Sequence, residues 1–162
     1  VIDIGTAVDR VLADAGALGG RVIILDEGQD VLTAGLAELL GQGGAAVRIV
    51  TPHLYFGEAL SRTYELPSVM KRFAALGVRV TPQMAVEAVE GAQVRLVATW
   101  SGAVEVLDGV SAVVLAQARA PVLAAFEAVR AAHPDVRRIG DALAPRGTEA
   151  VIYEGEAFGR EI

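Results

Sequence analysis

The residues best suited to hold a ligand lie near the carboxyl end, in Arg138-Ile139-Gly140-Asp141-Ala142-Leu143-Ala144-Pro145-Arg146. Apolar Val136 and Ile139 predict the end of a short strand, Gly140-Asp141 its carboxyl edge, and a helix is expected to start between Arg146 and Glu149. That order puts a carboxylate where it accepts hydrogen bonds from ribose or ribityl hydroxyls, and a helix amino end where it attracts phosphate. The alternative is a Gly-Asp turn that only caps a helix.

A complete dinucleotide site needs a second element, a glycine-rich turn between a first strand and a helix, so that the backbone can approach the pyrophosphate. The corresponding stretch here is Asp26-Glu27-Gly28-Gln29-Asp30, with one glycine and three carboxylates. Like charge facing a dianionic linkage opposes binding, by several kcal/mol where solvation is poor. The end of the next strand reads Thr51-Pro52-His53, where an adenosine ribose calls for an acid and a 2′-phosphate for an arginine. Both requirements fail, so the NAD(P) site is read as degenerate.

Other constellations are thin. His53 and His133 are the only histidines, each without a paired ligand at metal spacing, and a surface or capping role is expected. Asp26, Glu27 and Asp30 lack the pattern of a calcium loop; helix capping and solvation account for them better. Tyr55, Phe56 and Tyr64 sit on a long loop and read equally as a partner-docking patch or as residues closing over the sheet edge. Trp100 is read as a hairpin anchor. No Ser, His and acid arrangement suggests a hydrolase, and catalytic and metal residues are both expected to be absent.

The elements that position these residues follow from the hydrophobic pattern. Ala7, Val8, Val11 and Leu12 predict a short leading helix, Val22 to Leu25 a buried strand, and Leu32, Leu36, Leu39 and Leu40 a helix capped by Asp30 and stopped by Gly41, Gly43 and Gly44. Val47 to Val50 is a second buried strand, completing a right-handed βαβ unit. Residues 52–66 read as loop, a Pro67-started helix ends at Gly77, and Val78 to Val80 gives a third strand. Ala85 to Val89, Val94 to Thr99 and Val104 to Leu107 alternate as an antiparallel meander; Val110 to Ala116 rejoins the main sheet, and Pro121 to Ala132 is expected to be helical. The fold class is α/β and Rossmann-like, in three layers. The expected division is a leading segment over 1–20, an NAD(P)-binding-like domain over 21–118 with the meander at 84–107, and a helix, strand and Gly-Asp closing segment over 119–162.

Composition narrows the class further. The 162 residues carry a net charge of −6 with Lys71 the only lysine, leaving no basic field for nucleic acid. They bury a core of roughly 70% of the unfolded surface without staples. Cysteine is absent, so there is no thiolate nucleophile and no iron–sulfur ligation within these residues. Although 53% of the residues are hydrophobic, no apolar run approaches the roughly 20 residues of a membrane span. A cytoplasmic location is expected.

The tail, with Ile139-Gly140-Asp141 followed by Ala144-Pro145-Arg146, resembles the closing motif of flavoenzymes related to trimethylamine dehydrogenase and 2,4-dienoyl-CoA reductase. Arg21 to Asp26, Leu36 to Leu40 and Val47 to Thr51 are similar to the strand, helix and strand of the trimethylamine, dimethylamine and histamine dehydrogenases. His53-Leu54, Tyr64 to Pro67 and Met70 to Phe73 are similar to a loop and helix of the same group. The resemblance implies that Gly140, Asp141, Ala142, Pro145 and Arg146 are cofactor contacts, weak in this chain because the partner glycine motif is missing. It also places Ala116-Gln117-Ala118 where the family carries Ala-Thr-Gly.

By the same resemblance, redox chemistry belongs to an FMN-bearing (β/α)8 barrel with an iron–sulfur cluster, neither within these residues, and ADP or FAD to the parent enzyme. The isolated chain is expected to hold no cofactor. Expected partners are the remaining domains of the parent and an electron-transfer flavoprotein, and a homodimer is expected if the edge of Val136 to Ile139 pairs with a second copy. The competing expectation is a stand-alone interaction or regulatory module on a degenerate Rossmann-like fold.

Overall fold

A computed structural model describes residues 1–161, and the chain divides into two compact units, Val1–Gln117 and one that begins at Ala118. In the first unit, continuous β-rich sequence builds three buried strands, β2 (Arg21–Asp26), β3 (Ala46–Thr51) and β8 (Val110–Ala116). They are flanked by β4 (Arg79–Pro82) and by β1 (Ile2–Asp3), in the parallel order β1-β8-β2-β3-β4. Successive side chains of β2 alternate between two cores: Val22 and Ile24 join one cluster and Ile23 the other.

Helices α1 (Ile4–Ala13), α2 (Val31–Gln42) and α4 (Leu66–Leu76) supply Ala7, Val11, Leu36, Leu40, Val69 and Phe73 to the first core. The meander β5 (Met84–Glu90), β6 (Gln93–Ala98) and β7 (Val104–Leu107) supplies Val94 and Leu96 to the second. Both are fully buried, each contributing about 1.5–3 kcal/mol. A parallel sheet between helices and an antiparallel meander is the α/β three-layer arrangement expected.

An ion pair ties the meander to the main sheet. Arg48 of β3 points toward the meander side and donates to both carboxylate oxygens of Glu105 on β7 at 2.7 Å, and from Nε to Thr81 at 2.9 Å.

Several local expectations are corrected. Ile2–Asp3 forms an edge strand, invisible in the sequence because two residues carry no period. The 52–66 loop contains a one-turn helix, α3 (Glu58–Arg62), for the same reason. Trp100 is 81% exposed in the turn after β6 and anchors nothing.

The second unit contains α5 (Ala124–Arg130), a 3-10 turn at Gly140–Ala142 and α6 (Thr148–Gly159). The helix expected over 121–132 is shorter at both ends. The strand expected at Val136 to Ile139 does not form: Ile139 is extended (φ −135, ψ 163), but among the described residues of its unit there is no strand to complete a ladder. Neither α5 nor α6 contains a buried residue.

Candidate functional site

The chain leaves β2 through α2 to β3 on one side and returns as β8 on the other, so the sheet order reverses between β2 and β8. A ligand of an open α/β sheet binds outside the strand ends at that reversal. Here the position is filled by the chain itself. Glu27 and Gly28 both donate their backbone N–H to the Ala116 carbonyl, at 3.0 and 2.9 Å, and Gln117 donates its side-chain amide to Glu27 at 2.9 Å.

Gly28 lets this closure form without crowding. A Cβ there would lie 3.3 Å from the Ala116 carbonyl oxygen and 3.4 Å from that of Gln117. The glycine that would let a backbone approach pyrophosphate instead lets the turn rest on β8. At the helix end, Asp30 accepts the Leu32 N–H on its carboxylate and the Thr33 N–H on its carbonyl, both at 3.2 Å, the capping role expected of it. The N–H groups of Glu27, Gly28, Leu32 and Thr33 are thus engaged internally, and with three carboxylates beside them the residues present do not fit a pyridine dinucleotide.

Beneath the turn, Asp26 is fully buried. Its Oδ1 accepts from the Thr33 hydroxyl at 2.9 Å and its Oδ2 has no hydrogen-bond partner. Burial pushes its carboxyl above the ordinary range, partly offset by Thr33, the Gln29 backbone and the neighbouring His53. Sequence reasoning treats Asp26 as a solvated or capping acid; the burial follows from its place as last residue of a central strand.

The same turn grips the 53–58 loop. Gln29, held in the left-handed region (φ 54), donates its amide to the Tyr55 carbonyl and accepts the Glu58 N–H, both at 2.8 Å. His53 Nε2 lies 3.1 Å from the Glu27 carbonyl, and the His53 carbonyl accepts from Gln83 N–H at 2.9 Å. This loop separates the expected docking residues. Phe56 is buried against Phe73, ring centroids 5.8 Å apart, so its expected docking role is corrected: an aromatic under a clamped loop packs into the core. Tyr55 and Tyr64 remain exposed, Tyr64 at 90% and in the left-handed region (φ 61).

In the second unit, the candidate cofactor contacts meet a residue the sequence reading does not single out. Gly140 (φ 58) donates its N–H to Glu154 Oε2 at 2.6 Å, and Arg146 donates from Nη2 to Glu154 Oε1. A Cβ at Gly140 would lie 3.2 Å from Val151, so glycine is what admits α6 this closely. The Arg146 guanidinium, then the Gly140 N–H, hold the Glu154 carboxyl below its ordinary range. Asp141 and Ala142 are exposed in the 3-10 turn, and Pro145 is half-buried. The one signal for Glu154 is its spacing from Gly140, visible only once α6 is folded back.

Among the described residues, no group of three or more His, Cys, Asp or Glu side chains is placed to hold a metal ion. No helix among them is long and apolar enough to cross a membrane.

No family model and no curated protein matches the sequence. Solved structures do match its fold. A histamine dehydrogenase from Rhizobium sp. 4-9 superposes on 100% of the chain with a TM-score of 0.82 at 24% identity. A 6-hydroxypseudooxynicotine amine oxidase from Pseudomonas geniculata N1 superposes on 98% with a TM-score of 0.83 at 22% identity. A 2-naphthoyl-CoA reductase follows at 96%, 0.72 and 19%. The chain spans 26%, 24% and 23% of those three proteins, about a quarter of each.

Proposed function

We propose that this chain is the carboxyl-terminal, nucleotide-binding-like domain of a flavin-dependent oxidoreductase of the amine dehydrogenase or dienoyl-CoA reductase type. Its role in that reading is structural and docking, and catalysis belongs to an FMN-bearing barrel and iron–sulfur cluster outside these residues. The fold follows enzymes named for amine and acyl-CoA redox chemistry along nearly the whole chain, while covering a quarter of each. In this reading the closing residues Gly140, Asp141, Ala142, Pro145 and Arg146 would contact ADP or FAD in the parent, as the resemblance of the tail implies.

The observation that carries the non-catalytic role is the engagement of Glu27 and Gly28 by the Ala116 carbonyl. A hydride donor cannot be seated over a turn whose backbone donors already bond the neighbouring strand. The partners in this reading are the other domains of the parent, an electron-transfer flavoprotein meeting the exposed Tyr55 and Tyr64, and a second copy pairing along Val136 to Ile139. Helices without a buried residue support a covering surface from elsewhere for the second unit.

Calorimetric titration of the full chain with NADH and NADPH tests the reading. No saturable heat is expected. One-to-one binding with a Kd near 1 μM, about −8 kcal/mol, overturns it.

A further inference from the structure

Glu154 stands in an unusual relation to the closing segment. Its two carboxylate oxygens take one donor each from the residues there, the backbone N–H of Gly140 and the guanidinium of Arg146. A backbone N–H presented from a left-handed glycine, together with a guanidinium, is the donor pair that binds oxyanions, since both partial charges converge without a Cβ between them. The acceptor in this structure is the protein's own carboxylate.

We propose that Glu154 is an internal oxyanion that occupies the phosphate-binding donors of the closing segment, so that a nucleotide diphosphate enters only by displacing it. The inference rests on the reading of this segment as the nucleotide end of the domain and adds how that end is regulated. Three features carry it. Glu154 is ionised across the neutral range because Arg146 and Gly140 hold its carboxyl low, so it competes as a full negative charge. It sits on α6, which contains no buried residue, so it can move aside without opening a core. Val151, one turn before it on α6, lies against Gly140, so the approach that delivers Glu154 depends on a left-handed position where a Cβ would crowd that side chain.

A ligand phosphate must therefore outcompete a carboxylate already at hydrogen-bond distance, which keeps wild-type affinity low. Removing the charge weakens the hold on both donors, and removing the oxygens releases them. Glu154→Gln preserves size, helix propensity and an acceptor for the part-buried Gly140 N–H, and Glu154→Ala removes the competing oxygens altogether.

The test is calorimetric titration of ADP into the full chain as wild type, Glu154→Gln, Glu154→Ala and Glu154→Gln with Arg146→Ala, with circular dichroism confirming equal helix content. Both single variants are expected to bind ADP at least tenfold more tightly than wild type, inorganic pyrophosphate is expected to compete, and the double variant to return to wild-type affinity. No gain in either single variant overturns the proposal, as does a gain that survives loss of Arg146 or that pyrophosphate does not compete away. Tight NADH binding by the wild type is a separate outcome, which strikes the degenerate switch point rather than Glu154.

Discussion

Gly28 bonds its N–H to the carbonyl of Ala116 at 2.9 Å, joining the turn after β2 to the strand that returns on its far side. That single contact spans the position where the order of the sheet reverses, and the Glu27 N–H reaches the same oxygen at 3.0 Å. A carbonyl accepting two bonds from one turn makes a closed edge rather than a crevice. The consequences below follow from that closure and from the side chains arranged around it.

Asp26 lies under the closed turn with one oxygen unpartnered. A carboxyl with a raised folded pKa binds its proton more tightly folded than unfolded. Its contribution is therefore most favourable below the ordinary carboxylate pKa and declines as pH rises through the raised value. Asp26→Asn is expected to stabilise the chain by about 1 kcal/mol at pH 7, with the gain vanishing toward pH 3. Urea unfolding at both pH values measures it; a gain that grows on acidification contradicts the assignment.

Gln29 uses both ends of its amide on the 53–58 loop. Gln29→Ala is expected to remove about 1–2 kcal/mol of local stability, raising amide exchange at Tyr55 to Glu58 roughly 5- to 30-fold. Gln29→Gly relieves the left-handed backbone yet loses the same bonds, so exchange must rise in that variant too. Hydrogen exchange by mass spectrometry separates the side-chain effect from the backbone one.

The Arg48–Glu105 pair is lopsided: the Arg48 side chain is 13% exposed and that of Glu105 43%. Removing Glu105 strands a half-buried cation, whereas Arg48→Met keeps the apolar stem and leaves a carboxylate in water. Glu105→Gln is therefore expected to cost about 1 kcal/mol and Arg48→Met less. Because Arg48 lowers the Glu105 pKa, the wild-type advantage is present above the ordinary carboxylate range and is lost as pH falls through the lowered value. Thermal unfolding midpoints between pH 3 and 7 give the comparison.

Tyr64 holds a left-handed backbone with its ring 90% exposed, a strain no packing repays. Tyr64→Gly is expected to raise stability by about 1 kcal/mol and, if the proposed electron-transfer flavoprotein docks there, to weaken that docking about tenfold. Opposite signs in melting and in surface plasmon resonance are the signature of a residue kept for contact; a loss in melting argues for a structural role.

The sheet and meander were legible because continuous apolar runs such as Val22 to Leu25 and alternating ones such as Val94 to Thr99 each carry their own period. Asp30 as a cap and Gly77 as a stop were legible from local backbone chemistry. What escaped depended on partners distant in sequence. Ile2–Asp3 is a strand only beside Val114 and Leu115. Val136 to Ile139 has the composition of a strand but, among the described residues of its unit, no strand to pair with. Asp26, Phe56 and Glu154 have ordinary sequence surroundings, and their burial or pairing arises only when turn, loop and helix fold onto them. The carboxylates at 26–30 repel pyrophosphate on sequence grounds alone; the structure adds that the Glu27 and Gly28 N–H groups are engaged as well.

The most direct measurement follows the amide resonances of Glu27 and Gly28 in a heteronuclear NMR titration with NADH. Both N–H groups bonded to Ala116 predict resonances that stay in place up to millimolar coenzyme. Saturable shifts of the two amides, with one binding constant, would show a coenzyme over the turn and contradict the account.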